Sequence, residues 1–255
     1  MAAGRRCLGN LLLMDHTADA NAAIWRSAET VRAWAAEERQ RDRDRAMERL
    51  LMARLLPFEE RDAFTFLDLG AGSGAASRAI LALYPASRAV LADFSAEMMR
   101  QGEHEMQPFA GRYRYVEFDM SAGRWPAAIP AALDAVVSSL SVHHLTDERK
   151  QGLFAEIFGR LVPGGWFLNY DPVTTADPVV QAAWNRVEDR RDPAAAYKRH
   201  NRTPEEQLRW ENHVRHIIPL EPQVAFLREA GFEGVDVYWR ELDYAIYGGR
   251  CPALL

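Results

Sequence analysis

The stretch from Phe64 to Ser77 constrains the fold most, because it joins an apolar run, three glycines and an Ala-rich segment. Residues 64–69 are apolar except for Thr65 and Asp68, a pattern typical of a strand buried on both faces of a sheet. Glycine has no Cβ, so a Gly-x-Gly-x-Gly turn can adopt strained dihedral angles and approach a ligand closely. The predicted helix after the turn directs free N–H groups and the positive end of its dipole at that turn. A nucleotide-like cofactor is therefore expected here.

The spacing of the glycines bears on which cofactor this is. A dinucleotide-binding turn has the pattern G-x-G-x-x-G, in which the third glycine lets the helix pack against the strand. Here the glycines are Gly70, Gly72 and Gly74, and Ala75 follows. Asp68, just before the turn, would be a poor neighbour for a pyrophosphate but a good one for an ammonium group. A glycine-rich turn without a ligand and a variant nicotinamide site remain open alternatives.

The pattern strand-Asp-x-Gly-x-Gly-x-Gly resembles motif I of the class I S-adenosylmethionine (SAM)-dependent methyltransferases. The resemblance implies that Asp68 and the loop of Gly70, Ala71 and Gly72 wrap the methionine end of SAM and that no phosphate is bound. Further along, the segment Ser138–Leu145 and a Leu-x-Pro-Gly-Gly turn that enters a strand resemble the small-molecule branch of the same family. The similarity covers residues 64–170.

The resemblance also implies an α/β fold: a Rossmann-like, seven-stranded, mostly parallel sheet with an antiparallel terminal strand. Residues 235–239 and 244–247 are predicted to form the last two strands, which a nicotinamide-binding Rossmann domain normally lacks. Domain boundaries are predicted as an N-terminal tail and helical lid over residues 1–60 and a cofactor-binding domain over residues 61–255. A charged helical insertion, residues 172–222, is predicted to follow the fifth strand and to cover the pocket.

Polar side chains at the ends of the predicted strands supply the remaining cofactor contacts. Asp93 ends the second strand about 20 residues beyond the glycines, where a carboxylate can accept hydrogen bonds from both ribose hydroxyls. Phe94 and Met98 can lie against the two faces of an adenine, although ordinary core packing explains them as well. Other predicted contacts come from the ends of the third and fourth strands: Asp119, Met120, Ser138 and Ser139. By resemblance, Asp119 accepts a hydrogen bond from the adenine amino group and the next backbone N–H contacts the ring, although a carboxylate at a strand end also caps turns.

The candidate catalytic residues are His143, His144 and Asp171. The histidine pair follows the fourth strand, beside the first strand at the point where ligands bind in such sheets. An imidazole can accept a proton near neutral pH, which makes the pair the best candidate for a general base. Asp171 closes the fifth strand on the ligand side, where it faces the substrate or only terminates the strand. The spacing of Glu211, His213 and His216 would place metal ligands on one helix face, but without a clear third partner no metal is expected.

Composition narrows the class of partner. The 255-residue chain has a formal net charge of −5, which argues against a nucleic-acid footprint, and it has no apolar run long enough for a membrane span. Its two cysteines, Cys7 and Cys251, form no metal spacing or disulfide framework, so a reducing cytoplasm is expected. The prediction is a cytoplasmic enzyme, monomer or homodimer, that transfers the SAM methyl group to an O, N or C nucleophile of a small molecule, such as a secondary metabolite. An NAD(P)-binding oxidoreductase, a tRNA or protein methyltransferase and a non-catalytic SAM-binding partner remain the alternatives.

Overall fold

The computed structural model describes residues 44–253, which contain one seven-stranded sheet of order β3-β2-β1-β4-β5-β7-β6. The strands are β1 (Thr65–Leu69), β2 (Arg88–Asp93), β3 (Tyr113–Glu117), β4 (Leu133–Ser139), β5 (Leu161–Pro172), β6 (Glu233–Glu241) and β7 (Tyr244–Arg250). Strands β1 to β5 pair in parallel, and β7 runs antiparallel to both of its neighbours, β5 and β6. The predicted fold class is confirmed.

The helices are numbered in chain order within the described residues. They are α1 (Ala46–Arg54), α2 (Ala75–Leu83), α3 (Ala96–Glu105), α4 (Asp147–Phe158), α5 (Pro178–Arg191), α6 (Pro193–His200), α7 (Pro204–Val214) and α8 (Leu220–Glu229), with short 3-10 helices at Gln107–Phe109 and Val142–His144. Within this part of the chain, no helix combines the length and the hydropathy that a membrane crossing requires.

Apolar side chains cover both faces of the sheet, as the unbroken apolar run of β1 predicts. On one face, Phe66 of β1 packs in a cluster with Met52 of α1 and Ile80 of α2. On the other face, Leu67 packs in a cluster with Phe154 of α4 and, further along, residues of α8. The strand order reverses between β1 and β4, so a crevice opens at the carboxyl ends of these two strands.

Strand β5 differs from its prediction. The Pro-Gly-Gly sequence is predicted as a turn that precedes the strand, but β5 is continuous from Leu161 and absorbs these residues as an irregularity. Its register to β4 runs from Leu133↔Leu161 directly to Ala135↔Trp166. Gly164 permits this with φ +79, and a Cβ on Gly165 would lie 2.9 Å from the Val162 carbonyl oxygen. The two glycines therefore allow a bulge where the sequence pattern indicates a reversal.

The region between β5 and α8 is helical, as predicted for the insertion. Helices α5, α6 and α7 occupy residues 178–214, and we call this segment the cap. The chain that leaves the cap returns to the end of β5, where Thr174 N donates to Ile218 O at 3.2 Å. The fully buried Lys150 of α4 donates to the carbonyl oxygen of His216, just after α7. These two contacts fix the end of the cap over the carboxyl side of the sheet.

Most of the predicted N-terminal tail and lid, residues 1–43, lies outside the described residues. The part that is described, α1, packs on α2, and its Met52 and Ala53 are fully buried. The hydroxyl of Tyr84, at the end of α2, donates to Ala53 O at 3.0 Å. The domain boundaries stay a prediction.

Candidate active site

The glycine turn between β1 and α2 needs glycine for two separate reasons. Gly70, Gly72 and Gly74 have φ angles of +70, +53 and +82, which L-residues with a Cβ rarely adopt. Close neighbours add a second requirement, since a Cβ on Gly70 would lie 1.9 Å from Ser141 Oγ. On Gly72 it would lie 3.0 Å from the Met98 methyl group. The turn is therefore bare backbone pressed between the segments that follow β2 and β4.

Four backbone amides of this turn donate within the protein. Gly70 N and Ala71 N both reach Ala92 O, at 2.8 and 3.0 Å, Gly72 N reaches Asp93 Oδ2 at 2.8 Å, and Gly74 N reaches Ala71 O at 2.8 Å. A turn that cradles a phosphate instead directs its amides at the ligand. The loop is therefore tied to β2.

Asp68 lies under the turn and is 1% exposed. Its Oδ2 accepts from Ser77 N at 3.0 Å and from Ser77 Oγ at 2.7 Å, so the carboxylate caps the first turn of α2. Its Oδ1 is buried and has no hydrogen-bond partner among the described residues. Burial raises the pKa of Asp68 to about 6, and the hydrogen bonds from Ser77 only partly oppose this shift. One oxygen of a buried acid thus remains available to a cation.

Asp93 joins the turn to the start of α3. Its Oδ2 accepts from Gly72 N and its Oδ1 accepts from Ser95 N, both at 2.8 Å. Burial raises the pKa of Asp93, against these backbone hydrogen bonds. Each carboxylate oxygen can accept a second bond, so the contacts leave acceptor capacity for hydroxyl groups of a ligand.

Around the turn, the other predicted cofactor contacts lie at different depths. The buried Met98 and the half-buried Met120 reach the glycines, the latter with its methyl group 2.9 Å from a Cβ built on Gly70. Phe94 is half-buried after Asp93. Asp119 is half-buried, and its Oδ1 accepts from Ser121 N at 2.9 Å and from Ser121 Oγ at 2.6 Å. Asp119 therefore caps its own turn.

The end of β4 turns sharply towards the crevice. Ser138 is fully buried and its Oγ donates to Leu69 O at 2.8 Å, which ties β4 to β1 just before the glycine turn. The Oγ of Ser139 is buried without a hydrogen-bond partner among the described residues. Leu140 has φ +59, an uncommon value for a residue with a Cβ. This turn brings Ser141 against Gly70.

Two residues later, His143 forms a close pair with Asp171 at the end of β5. His143 Nδ1 lies 2.7 Å from Asp171 Oδ1, and His143 N donates to Asp171 Oδ2 at 2.8 Å. An ionised carboxylate only accepts, so this contact assigns the ring proton to Nδ1 and leaves the lone pair on Nε2. His143 Nε2 is buried and has no hydrogen-bond partner among the described residues. The pair therefore presents an unprotonated ring nitrogen held at a fixed orientation.

A chain of buried polar groups holds Asp171 in turn. Asn169 Nδ2 donates to Asp171 Oδ2 at 3.3 Å and to Tyr247 Oη at 2.7 Å, and the Tyr247 hydroxyl donates to Gln223 Oε1. Burial raises the pKa of Asp171 to about 7, while the hydrogen bond from Asn169 lowers it. The network extends from β5 through β7 to α8 and fixes the carboxylate from behind.

Two further histidines lie beside His143. His144 stacks near His143 with ring centroids 3.9 Å apart, and His213 of α7 lies 5.2 and 5.3 Å from these two rings. We call His143, His144 and His213 the histidine cluster. One ring nitrogen from each lies within 4.8 Å of the other two. Burial and the neighbouring histidines lower the pKa of both His143 and His144, so both rings are neutral at neutral pH.

Comparison with known protein families bears on the central part of the chain. Residues 66–165 match a family model described as a methyltransferase domain. This part of the chain is therefore similar to methyltransferase domains. The predicted resemblance is thereby confirmed, although no curated protein sequence matches the chain.

Solved structures agree with this fold. Human N-acetylserotonin methyltransferase in complex with SAM is 20% identical, with a TM-score of 0.62 over 91% of this chain and 58% of that one. PigF with SAH, S-adenosylhomocysteine, is 16% identical, with a TM-score of 0.62 over 89% of this chain and 61% of that one. The pyocyanin biosynthetic protein PhzM is 18% identical, with a TM-score of 0.55 over 80% of this chain and 54% of that one. This chain spans about three fifths of the length of the first two structures.

Several of the predicted site residues lie at the carboxyl ends of the parallel strands, on both sides of the crevice. Asp93, Met98 and Met120 contact the glycine turn, whereas the ends of β4 and β5 form the His143–Asp171 pair. Sequence reasoning missed Ser141, whose contact with Gly70 depends on the turn at Leu140. It considered His213 only with Glu211 and His216, but the helix ends at Val214, so His216 does not share its face. No local pattern indicates that α7 folds back onto His144.

Proposed function

We propose that the chain is a SAM-dependent methyltransferase, which moves the methyl group of SAM to an O, N or C nucleophile of a small molecule. The observation that carries the proposal is the glycine turn, in which four backbone amides donate within the protein while Asp68 and Asp93 lie at two strand ends beside it. Such a turn suits a ligand with an ammonium group, a sulfonium and ribose hydroxyls. The bound SAM and SAH named for the similar structures support the same cofactor.

The rival nicotinamide cofactor fits these contacts poorly. A dinucleotide places its pyrophosphate on the amides of the turn and on the first turn of the helix. Here Asp93 accepts from Gly72 N and Asp68 accepts from Ser77 N, so two carboxylates occupy these donors. A diphosphate would have to displace one carboxylate and lie beside the other. That arrangement is unfavourable for two anions in a buried crevice.

The position of His143 suggests how an acidic acceptor, such as a phenol, reacts. The acceptor oxygen attacks the methyl carbon about 3 Å away, in line with the carbon–sulfur bond. The new oxygen–carbon bond forms as the carbon–sulfur bond breaks, and the bonding electron pair goes to sulfur, which gives SAH. The acceptor proton passes to His143 Nε2, and Asp171 stabilises the resulting imidazolium through Nδ1. The ring of His144 lies 3.9 Å from that of His143, beside this base.

Two observations support a small acceptor. His213 of the cap lies 5.3 Å from the His144 ring, so the cap reaches the histidine cluster. A net charge of −5 favours a small acceptor over a nucleic acid. Cys251 is a free, buried thiol, which suits the reducing cytoplasm.

Thermal unfolding with SAM, SAH, NAD and NADP tests the cofactor assignment. A ligand at 100 times its Kd stabilises the native state by about 2.7 kcal/mol. For a domain of this size, that free energy raises Tm by about 5–10 °C. We expect the rise with SAM and SAH and none with NAD or NADP. A rise with NAD or NADP alone contradicts the assignment.

A second experiment tests the base separately, by SAH release with a phenol and with an amine as acceptors. His143→Gln is expected to lower kcat for the phenol by about 10²–10⁴-fold and to leave the Kd of SAH unchanged. Asp171→Asn, in the positioning residue, is expected to lower kcat and to alter the pH profile of the phenol reaction. His104→Gln, on the exposed side of α3, is the matched control. Unchanged phenol turnover in His143→Gln excludes the base role and leaves the cofactor assignment intact.

A further inference from the structure

The histidine cluster combines three ligand atoms from two distant parts of the chain. His143 and His144 follow β4, whereas His213 comes from the cap, and one ring nitrogen of each lies within 4.8 Å of the other two. Imidazole nitrogens are ligands that Zn²⁺ and other first-row transition ions prefer, and they do not suit Mg²⁺ or Ca²⁺. Three protein ligands with a further position left for water or substrate are typical of a catalytic zinc site.

The most buried of these histidines is already oriented as a ligand. His143 is 4% exposed, its Nδ1 is engaged by Asp171, and its Nε2 has no hydrogen-bond partner among the described residues. A ligating histidine usually donates its other ring N–H to a carboxylate, which fixes the tautomer and makes the ligand more basic. Asn169 and the backbone of His143 fix that carboxylate in turn. The side chains that would orient a metal-binding His143 are therefore already in place.

The ring nitrogens of the histidine cluster must move slightly closer together to bind one ion. Two nitrogens bound to one Zn²⁺ at about 2.1 Å in tetrahedral geometry lie about 3.4 Å apart. His213 is exposed and sits on the last turn of α7, so rotation of its side chain can bring its nitrogen to the two others. The charges nearby include Lys150, Arg45 and Asp171. Of these, only the Asp171 carboxylate attracts a cation, so the affinity depends on it.

We propose that His143, His144 and His213 bind a divalent first-row transition metal ion, which joins the cap to the end of β4. This inference does not depend on methyl transfer. If both proposals hold, the ion and the acceptor proton are alternative occupants of His143 Nε2. A bound ion would then lower the pKa of a coordinated acceptor hydroxyl, the task that the imidazole performs in the metal-free protein.

The test uses the full chain, treated with a chelator, and titration with ZnCl₂ by calorimetry and with CoCl₂ by visible absorption. We expect one ion per chain, and the intense d–d bands of tetrahedral Co²⁺. His213→Ala, at an exposed position, should weaken Zn²⁺ binding by more than 100-fold, and Asp171→Asn by about 10–100-fold. His104→Ala, in an exposed histidine outside the cluster, should bind as the wild type does.

His216→Ala discriminates the cluster from the single-helix set of Glu211, His213 and His216. The cluster predicts Zn²⁺ binding close to that of the wild type in this variant, whereas the single-helix set predicts loss. Wild-type affinity in His213→Ala, or loss in His216→Ala equal to that in His213→Ala, overturns the proposal. Absence of a one-to-one Zn²⁺ complex in the wild type overturns it as well. SAH binding, measured on the same samples by calorimetry, reports on the proposed function independently.

Discussion

Replacement of Asp68 by Asn should stabilise the cofactor-free protein while weakening cofactor binding. The pKa of Asp68 rises from 3.8 to about 6 because the carboxylate is buried and its Oδ1 has no hydrogen-bond partner among the described residues. At 1.36 kcal/mol for each tenfold change, this rise corresponds to about 3 kcal/mol of lost stability when the group is ionised. Asn keeps an acceptor oxygen for Ser77 and carries no charge, so Asp68→Asn removes the cost.

The sign of the pH dependence follows from the same pKa values. Below pH 3.8 the acid is protonated in both states and contributes nothing. As the pH rises to about 6, the unfolded chain loses the proton while the folded chain retains it, so stability falls, and above pH 6 the loss is complete. We therefore expect Asp68→Asn to exceed the wild type in free energy of unfolding by up to about 3 kcal/mol at pH 7.5 and to match it near pH 4.

Urea denaturation of the wild type and Asp68→Asn at pH 4, 5, 6 and 7.5 measures this difference. Asp236→Asn, in an exposed aspartate of β6, is the control and should stay within about 0.5 kcal/mol of the wild type at every pH. Calorimetry at pH 7.5 should show at least about a tenfold loss of SAM affinity in Asp68→Asn, since its carboxylate faces the cationic ligand. A free energy difference that does not change with pH, or a variant that is less stable at pH 7.5, refutes the reasoning.

Two further predictions concern the turn and the network behind the active site. Gly70→Ala places a Cβ 1.9 Å from Ser141 Oγ at φ +70, so calorimetry should show no SAM binding. The control Gly111→Ala, at φ +81 with nothing within 4 Å of its Cβ, should lower the free energy of unfolding in urea by about 1–2 kcal/mol and leave SAM binding intact. Equal SAM affinity in the two variants would contradict the prediction. Tyr247→Phe removes the hydroxyl between Asn169 and Gln223, so it should lower the free energy of unfolding by about 1–3 kcal/mol. The control Tyr113→Phe, at an exposed hydrogen bond, should change it by less than about 0.5 kcal/mol. Equal effects of the two substitutions would show that the buried network does not stabilise the fold.

The sequence predicts those parts of the site that depend on local pattern. The apolar run before Gly70 indicates a central strand, and the acids that end consecutive parallel strands come to one edge because the carboxyl ends of such strands meet there. The place of the fourth strand beside the first and the reversed terminal strand follow from the same resemblance, and both are found. The prediction that Pro163, Gly164 and Gly165 form a turn before β5 was wrong in detail. A positive φ at Gly164 is compatible with a bulge inside the strand as well as with a turn.

Contacts between distant segments could not be predicted in this way. The partner of Asp68 is Ser77, but the alternation of side chains along a strand indicates only a face and not a hydrogen bond. His213 approaches His144 because α7 folds back over the sheet, and the two lie 69 positions apart in the chain. The sequence spacing indicated His216 as the partner of His213 on one helix face, but α7 ends at Val214, before His216. Whether a polar residue gathers with others is thus decided by packing that the local sequence does not encode.

A crystal structure with SAH tests the central claim most directly. The account predicts the methionine portion along Gly70 to Gly72 with its ammonium group near Asp68, the ribose hydroxyls on Asp93, and the sulfur facing Ser141 and His143. Density for SAH elsewhere, or an empty crevice at saturating SAH, would contradict it, as would a pyrophosphate bound against the same turn in crystals grown with NAD.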